Sequence, residues 1–365
     1  MQAIVIHDYG SYSIEAVPRP EPTGREVLVA VDRAQLSVTE CRLYQGEEMI
    51  HQDAVSAQLR DGSARLFGHE FCGTVAAVGP DVSGFTPGDR VYPPGKIPCE
   101  TCSYCQRGYQ QYCPDKTQLG YDLPAGLAEY ALVPEAALVG LPDAVSDAEG
   151  AAMQPLASAV LCVEDAGIHT GDVVAIVGAG VMGSHCGQLA LTMGASTVYA
   201  SDLVARKRDL AADHGMTPID PTETGPAVVV NEATDGIGAD VVIEAVGEEQ
   251  SHATEGDDPL AQAYQMVRRG GTILQVGHIT GEITLQPKAF RAKNLRWINP
   301  SVGVVQMGPN AHTGAIAADL VAAGRLQIDP YISHELAGLS AFEDAIDITL
   351  DPERKLGPAQ IIISE

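Results

Sequence analysis

The pattern of apolar residues changes near residue 155 and divides the chain into two parts. Before that point, short alternating runs such as Glu26-Val-Leu-Val-Ala-Val are separated by Gly, Pro and Asp, which is typical of antiparallel β structure. After it, the continuous apolar run Val173-Val-Ala-Ile-Val begins a series of strands that alternate with helix-like segments. The pattern predicts a mostly antiparallel β domain followed by a parallel α/β domain.

Other apolar runs extend this prediction. The remaining expected strands are Gly73–Val78, Leu127–Val133, Thr197–Ser201, Val228–Val230, Val241–Val246, Thr272–Val276 and a last one from Ala359. The last strand suits a return to the first domain. We therefore expect a β-rich domain over residues 1–155, an α/β domain over 156–300 and a returning segment over 301–365. Residues 251–258 are expected to form an exposed acidic loop.

Composition adds charge to this picture. Lys and Arg number 22 against 48 Asp and Glu, a formal net charge of -26. Such a surface repels phosphate backbones and anionic lipids, so we expect neither a nucleic-acid nor a membrane partner. The acid excess also indicates adaptation to a salty cytoplasm, because about 1 M salt shortens the Debye length to roughly 3 Å. The first residues lack a basic, cleavable leader pattern, which predicts a cytoplasmic protein.

A glycine fingerprint follows the first strand of the second domain. Val177-Gly-Ala-Gly-Val-Met-Gly183 fits G-x-G-x-x-G. Gly178 permits the tight turn, Gly180 lets the backbone approach a pyrophosphate, and Gly183 allows the helix to pack close to the strand. The free N–H groups of that helix then face the phosphates.

An acidic residue 20 or so positions later completes the dinucleotide pattern. Asp202 ends the next strand, where a carboxylate accepts the ribose hydroxyls and repels a 2′-phosphate, so NAD is favoured over NADP. Arg206 and Lys207 stand near enough in the sequence to soften that repulsion. The residues expected to bind the coenzyme are Gly178, Gly180, Val181, Met182, Gly183, Asp202, Lys207, Val246 and Val276.

Four of the eight cysteines form a metal-binding pattern, C-x2-C-x2-C-x7-C. Four thiolates so close in sequence can surround one tetrahedral ion and leave no open position, which predicts a structural zinc site. A disulfide pair and an iron–sulfur cluster are the alternatives. The expected ligands are Cys99, Cys102, Cys105 and Cys113.

These motifs together resemble a known family. Gly68-His-Glu-Phe-Cys-Gly73, Gly88-Asp-Arg-Val91, the cysteine lobe, Gln154-Pro-Leu-Ala157 and the glycine fingerprint stand in the order and spacing of zinc-dependent medium-chain dehydrogenases. The similarity runs from end to end and is closest to the polyol, butanediol, threonine and glucose dehydrogenase branch. It implies a GroES-like catalytic domain, a Rossmann coenzyme domain, a cleft between them and a homodimer or homotetramer.

The resemblance also implies a catalytic zinc, with two departures. The family's histidine ligand matches His69, and the adjacent acid is Glu70. Ser37 stands at the family's cysteine, and Gln154 stands where many polyol dehydrogenases have glutamate. In one arrangement His69, Glu70 and Gln154 bind zinc, with Ser37 or a water as a further ligand. In a second, Cys41 supplies the thiolate from one helical turn after Ser37. In a third there is no catalytic metal, and a hydroxyl polarises the carbonyl.

Three residues of the same segment match the family's catalytic positions. Thr39 stands where the family has the Ser/Thr that passes the substrate's proton to the coenzyme ribose, although it also suits a helix N-cap. Arg42 replaces the relay histidine and cannot give up its proton, so water or another group must take it. Glu40 matches the family's aspartate and is expected to hold His69 or its loop.

The predicted activity is the reversible, NAD-dependent oxidation of a secondary alcohol, polyol or sugar hydroxyl, with zinc as Lewis acid. A zinc-free enoyl or quinone reductase of the same family is one alternative, since Ser37 and Gln154 remove anionic ligands. A non-catalytic NAD(H)-binding sensor is another. The expected partner is a small hydroxylated substrate.

Overall fold

A computed structural model describes residues 1–305, 312–351 and 356–364. The chain forms two compact units. The first unit contains Met1–Ser158, Gly303–Gly324 and Ile328–Glu365, and the second contains Ala159–Val302 with the short piece Arg325–Gln327. The sequence pattern put the corresponding changes near residues 155 and 300, and it did not separate residues 325–327 from the returning segment.

The described residues form seventeen strands. They are β1 (Gln2–Asp8), β2 (Ser11–Ala16), β3 (Glu26–Gln35), β4 (Glu70–Val78), β5 (Arg90–Tyr92), β6 (Tyr130–Pro134), β7 (Val139–Gly140), β8 (Val173–Val177), β9 (Thr197–Ser201), β10 (Thr217–Ile219), β11 (Ala239–Glu244), β12 (Glu248–Glu249), β13 (Val267–Gln275), β14 (Ile279–Thr280), β15 (Arg296–Ile298), β16 (Glu335–Ala337) and β17 (Gln360–Ile362).

The same residues form eleven α-helices. They are α1 (Val38–Tyr44), α2 (Gln52–Arg60), α3 (Asp147–Ala151), α4 (Met153–Ala166), α5 (Val181–Thr192), α6 (Ala205–Asp213), α7 (Pro226–Ala233), α8 (Pro259–Met266), α9 (Pro287–Lys293), α10 (Thr313–Ala322) and α11 (Phe342–Leu350). Within the described ranges, none of the helices combines the length and the apolar character that a membrane crossing requires.

The first unit is built on a seven-stranded sheet. Its strands run in the order β16-β17-β3-β4-β5-β7, and β6 pairs with β3 as well. All these pairs are antiparallel except β16 with β17. The alternating side chains of β3 explain its place at the centre, because Val27, Val29 and Val31 face a core shared with Phe71 of β4 and Phe342 of α11.

The second unit is a six-stranded parallel sheet in the order β10-β9-β8-β11-β13-β15. If the six strands are numbered along the chain, their order in the sheet is 3-2-1-4-5-6. The first three strands are added towards one edge of the sheet and the last three towards the other, so the order switches between β8 and β11. The continuous apolar run of β8 fits a central strand that is covered on both faces. The carboxyl ends of β8 and β11 therefore mark the place where such sheets bind ligands.

One expected strand is wrong. Val228–Val230 lies inside α7, although three successive valines favour extended structure. Pro226 fits the first turn of that helix, and Gly225 precedes it as the N-cap. Val230 is fully buried while Val228 is 50% exposed, so the three valines face different directions around a helix instead of filling one buried strand.

The expected acidic loop over 251–258 is partly wrong. Ala253 is fully buried and Thr254 is nearly so, and the Ala253 N–H donates to the carbonyl of Thr284 at 3.0 Å. Asp258 folds back and accepts hydrogen bonds from the N–H groups of Ser251 and His252. The acidic composition of the loop did not show that its small residues Ala253 and Thr254 would be buried, although most of its other residues are exposed.

Candidate active site and coenzyme site

A capping box begins α1 and brings three predicted site residues into one helical turn. Ser37 Oγ accepts a hydrogen bond from the Glu40 N–H at 3.2 Å, and the Glu40 carboxylate accepts one from the Ser37 N–H at 3.3 Å. This S-x-x-E pattern satisfies N–H groups that the first turn of a helix leaves unpaired. Thr39 lies between them and is half-buried. The N-cap is therefore Ser37, not Thr39.

Glu40 orients His69. It is 1% exposed, and its Oε1 accepts the His69 N–H at 3.1 Å and lies 2.7 Å from His69 Nδ1. This contact fixes the tautomer of a neutral His69, with the proton on Nδ1 facing Glu40 and the lone pair on Nε2. Burial lowers the pKa of His69, but the charge and hydrogen bond of Glu40 and the charge of Glu70 outweigh it and leave that pKa raised.

A strained turn delivers His69 to Glu40. Phe67 and Gly68 both have left-handed backbone angles, φ +69° and +77°. A Cβ at Gly68 would lie 2.8 Å from the Leu127 nitrogen, so only glycine fits there. A positive φ is rare for a bulky residue such as Phe67, because it is energetically unfavourable. The hydrogen bond from the Phe67 N–H to the Gly120 carbonyl, at 2.6 Å, offsets part of this strain.

Glu70 begins β4 directly opposite Gln35 of β3. The Glu70 side chain is buried, and its Oε2 accepts a hydrogen bond from Gln35 Nε2 at 2.5 Å. Burial raises the pKa of Glu70 to about 7 against the charge of His69 and the Gln35 hydrogen bond, which lower it. Glu70 Oε1 lies 3.8 Å from His69 Nε2. Since Nδ1 is held by Glu40 and Oε2 by Gln35, Nε2 and Oε1 are the two atoms left for a common ligand.

Tyr121 belongs to this site and was not predicted. It is 1% exposed, its ring centroid lies 5.6 Å from that of His69 and 4.5 Å from that of His51, and its hydroxyl is hydrogen-bonded to the Ser37 side chain. Burial raises the pKa of Tyr121, so the hydroxyl stays protonated. The sequence offered one weak indication of this role: aromatic residues are scarce in the chain, at 5%, and Tyr121 follows a glycine, Gly120.

Gln154 is buried near the start of α4, in the first unit. Its Nε2 donates to Ser158 Oγ at 3.2 Å, and the Gly303 N–H donates to the same oxygen at 3.1 Å. A Cβ at Gly303 would lie 3.9 Å from Gln154 Nε2. With Nε2 engaged, the amide oxygen of Gln154 is the atom suited to a metal.

Cys41 and Arg42 lie in the same helix as Glu40, but neither belongs to the group of candidate zinc ligands. Arg42 Nε lies 3.7 Å from Glu47 Oε2, near the end of α1. Cys41 is buried in the hydrophobic core of the first unit. Across the described ranges, the only group of three or more Cys, His, Asp or Glu ligand atoms close enough for one ion is the four-cysteine lobe. Cys41 therefore does not form such a group with His69 and Glu70, which contradicts the second arrangement.

The four cysteines of the lobe converge. All eight cysteines of the chain are free, and the four predicted sulfurs lie within 4.8 Å of one another. Cys102 Sγ lies 3.5 Å from Cys105 Sγ and 3.9 Å from Cys113 Sγ. Tetrahedral zinc with Zn–S bonds of about 2.3 Å requires sulfurs about 3.8 Å apart. The residues present thus fit a closed structural zinc site.

The glycine fingerprint has the steric reasons that the sequence predicted. Gly178 follows β8 with φ +94°, and a Cβ there would lie 2.8 Å from the Val246 side chain. A Cβ at Gly183 would lie 1.9 Å from the Gly178 carbonyl oxygen. Gly180 is the N-cap of α5 and makes no side-chain cap. The first N–H groups of α5 are therefore left for an anion, with Val181 and Met182 half-buried beside them.

Asp202 lies at the end of β9 against the fingerprint. Its Oδ2 accepts the Ala179 N–H at 2.9 Å, and its Oδ1 accepts the Val204 N–H at 2.8 Å. Lys207 Nζ lies 3.8 Å from Oδ2. The carboxylate is thus fixed next to the glycine turn, and Lys207 partly neutralises it.

Glu244, which was not predicted, joins the loops that carry Val246 and Val276. Its Oε1 accepts the N–H groups of Val246 at 2.9 Å and Gly247 at 2.8 Å, and its carbonyl accepts the Val276 N–H at 2.8 Å. Burial raises the pKa of Glu244, and the backbone N–H groups of Gly247 and Val246 lower it in part. A glutamate within the apolar run of β11 was the available signal.

Comparisons with known proteins agree with both units. The family described as "Alcohol dehydrogenase GroES-like domain" matches residues 23–143, and "Zinc-binding dehydrogenase" matches residues 181–314. L-threonine 3-dehydrogenase of Pyrococcus horikoshii is 30% identical over 93% of this chain and 92% of its own length. D-xylulose reductase A of Aspergillus niger is 33% identical over 77% of this chain and 75% of its own.

A solved structure gives the same picture. A putative zinc-binding dehydrogenase from Sinorhizobium meliloti, bound to NADP, has a TM-score of 0.84 and 28% identity, covering 99% of this chain and 98% of that one. A β-rich unit with a four-cysteine lobe, joined to a doubly wound dinucleotide-binding unit, defines a two-domain dehydrogenase. The chain belongs to the zinc-dependent medium-chain dehydrogenase family. Its GroES-like and Rossmann folds confirm the predicted fold class.

Proposed function

We propose that the protein catalyses the reversible, NAD-dependent oxidation of a secondary alcohol, polyol or sugar hydroxyl to a carbonyl. The observation that carries this proposal is the buried His69, oriented by Glu40 and paired with Glu70 so that Nε2 and Oε1 lie 3.8 Å apart. The names of the relatives above, which act on threonine and xylulose, point to hydroxylated substrates.

The donor atoms of His69, Glu70 and Gln154 are of kinds that suit a catalytic zinc, and we propose that these three residues would hold it. Imidazole nitrogen and carboxylate oxygen are ordinary zinc ligands, and the amide oxygen of Gln154 is neutral. Ser37 is the poorer ligand, because its hydroxyl already caps α1 and meets Tyr121. A zinc ion bound there supplies Lewis-acid polarisation of the reacting oxygen.

The chain's own residues then orient the metal ligands and handle the proton. Glu40 keeps the Nδ1 proton of His69 in place, so Nε2 stays available as a ligand. Thr39 relays the hydroxyl proton of the substrate towards solvent water, which accepts it because Arg42 is always protonated and cannot. NAD, when bound, would supply the acceptor for the hydride that the carbinol carbon loses, which would balance the oxidation.

Coenzyme preference is proposed to come from Asp202. Its carboxylate is held in place by Ala179 and Val204, where it suits two ribose hydroxyls and opposes a 2′-phosphate. Lys207 offsets part of that charge. Gly178, Gly180 and the start of α5 are proposed to bind the pyrophosphate, and Val246 and Val276 to line the nicotinamide end. A homodimer or homotetramer and a salt-rich cytoplasm also stay predictions.

The test is turnover of a panel of alcohols, polyols and sugars with NAD in about 1 M KCl, together with zinc content. His69→Ala should abolish turnover and leave NADH binding nearly intact. His169→Ala, at a side chain 80% exposed in the second unit, is the matched control and should change neither. Turnover that survives His69→Ala would show that the metal-centred mechanism is wrong.

A zinc-free reductase is the second candidate. The observation that favours it is the protonated Tyr121 hydroxyl beside Ser37 and His69, a group able to polarise a carbonyl without a metal. Two zinc ions per subunit support the dehydrogenase, and one supports the reductase. Tight NADH binding with no turnover of any alcohol, ketone, enone or quinone would support a sensor instead.

A further inference from the structure

Two lysines stand out in a chain of net charge -26 that has only six. Among the described lysines, Lys207 lies near Asp202, Lys293 donates to the carbonyls of Tyr264 and Val267, and Lys288 is exposed. Lys96 and Lys116 differ. Both are half-buried, and neither makes a salt bridge or a side-chain hydrogen bond within the part of the chain that the structure describes.

The backbone brings these two lysines to one face. Ile97 and Thr117 form an antiparallel bridge, with N–H to carbonyl distances of 2.7 and 2.9 Å in the two directions. Residues that flank such a bridge point to the opposite face from the bridged pair, so Lys96 and Lys116 share a side. Burial, and then the charge of Lys116, lower the pKa of Lys96, and Asp122 offsets part of this. Holding two ammonium groups there costs stability.

Lys96 borders the candidate metal ligands. Its N–H donates to the Gly303 carbonyl at 3.3 Å, and the Gly303 N–H donates to Ser158 Oγ, which also accepts from Gln154. The charge of Lys96 also acts on His69. Lys96 therefore lies next to the reacting centre of the first unit, and Lys116 is the lysine that acts on Lys96.

The surroundings suit an anion. Gln118 faces Lys96 across the bridge, is 6% exposed, and its Oε1 has no hydrogen-bond partner among the described residues, so it is available to orient an ammonium group. Asp122 is the carboxylate nearby, and its Oδ2 already accepts the Gln118 N–H at 2.8 Å. One ammonium group, that of Lys116, and one carboxylate, that of Asp122, act on Lys96. Glu40 and Glu70, at the neighbouring centre, are engaged by His69 and Gln35. The lysine pair therefore outnumbers the carboxylate beside it, which favours an anion on a protein that otherwise repels it.

We propose that Lys96 and Lys116 form an anion-binding subsite of the substrate site, and that the preferred substrate is an alcohol carrying a phosphate or carboxylate group. This rests on the proposed dehydrogenase function. A bound anion would supply the missing partner for both ammonium groups. Charge-assisted hydrogen bonds of this kind are stronger than neutral ones.

The first test compares matched substrates at one fixed ionic strength with NAD. The pairs are sorbitol with sorbitol 6-phosphate, and 2,3-butanediol with 3-hydroxybutanoate. We expect kcat/KM of at least one charged partner to exceed that of its neutral counterpart by about tenfold or more. Which charged partner gains tells phosphate from carboxylate. Inorganic phosphate or acetate should inhibit competitively in the same order.

The second test uses Lys96→Met and Lys116→Met, with Lys288→Met as the control because Lys288 is exposed on α9. Each subsite variant should lose about tenfold or more in kcat/KM for the charged substrate, mainly through KM, and stay within about twofold for the neutral one. Their thermal midpoints should be unchanged or higher, since no partner is lost. Lys288→Met should change none of these values.

The outcomes separate the two proposals. Equal losses for charged and neutral substrates, or a lowered thermal midpoint, would mean that the lysines are structural. Turnover of neutral polyols with no gain from charge and no inhibition by phosphate or acetate would overturn the subsite alone. Turnover of none of the alcohols would overturn both the subsite and the dehydrogenase function.

Discussion

Replacing Glu40 by glutamine tests how His69 is held. The carboxylate of Glu40 receives three hydrogen bonds, two on Oε1 from His69 and one on Oε2 from the Ser37 N–H. Glutamine has one oxygen and one NH2 group at the same positions. Whichever way the amide is turned, its NH2 group faces at least one N–H donor, so Glu40→Gln cannot satisfy all three.

The expected size follows from these contacts. A hydrogen bond to a charged group contributes about 1.5–3 kcal/mol, and Glu40 is 1% exposed, so water does not replace the lost partner. We expect Glu40→Gln to lower the free energy of unfolding by about 1.5–3 kcal/mol. Removing the partner of a metal-binding histidine typically lowers metal affinity or activity about 10- to 100-fold, which is the expected fall in zinc affinity and in kcat/KM.

The assay pairs this variant with Glu135→Gln. Glu135 is also buried, and it likewise accepts two backbone N–H groups, from Ser83 and Gly84, together with Arg25. Urea unfolding, zinc content and kcat/KM are measured on both. Both variants should lose stability, but only Glu40→Gln should lose zinc and activity. If the two lose stability alike and both keep full activity, Glu40 does not orient a catalytic histidine.

Other predictions concern the coenzyme, the lobe, salt and pH. Asp202→Asn should raise kcat/KM with NADP relative to NAD by about tenfold, because Lys207 is freed for a 2′-phosphate. Cys113→Ser should remove one zinc per subunit and lower the thermal midpoint, with NADH affinity unchanged. The thermal midpoint should rise between millimolar and about 1 M KCl as screening relieves the net charge. Burial raises the pKa of Glu135, but the N–H groups of Gly84 and Ser83 and Arg25 lower it below its ordinary 4.5. The stability that it adds over Glu135→Gln should be full above pH 4.5 and disappear as the pH falls through the lowered value.

Each of these has a contrary result. An unchanged coenzyme ratio in Asp202→Asn would mean that another group excludes NADP. Full zinc content in Cys113→Ser, with Cys162→Ser as the control outside the lobe, would show that the lobe does not hold the ion. A midpoint that ignores KCl would contradict the salt adaptation. A constant difference between wild type and Glu135→Gln down to pH 3 would mean that Glu135 has no lowered pKa.

The sequence alone determined the parts of this protein that depend on local spacing. A glycine fingerprint and four cysteines within fifteen residues act through neighbours along the chain, so their geometry is nearly contained in their spacing. The spacing of apolar residues in the strands predicted both units, because this spacing is also a local property of the chain. It failed at Val228–Val230, where the preceding Pro226 and one-sided burial outweighed β propensity.

Only the tertiary structure decided which distant residues meet at the site. Gln35 reaches Glu70 through strand register, and Tyr121 reaches His69 through a loop fixed at Gly120. Lys96 reaches Gln154 only through Gly303, more than 200 residues later. None of these pairs has a spacing that repeats or a motif that marks it, because sheet register and loop packing set the contacts. Such contacts form only when the whole first unit is folded.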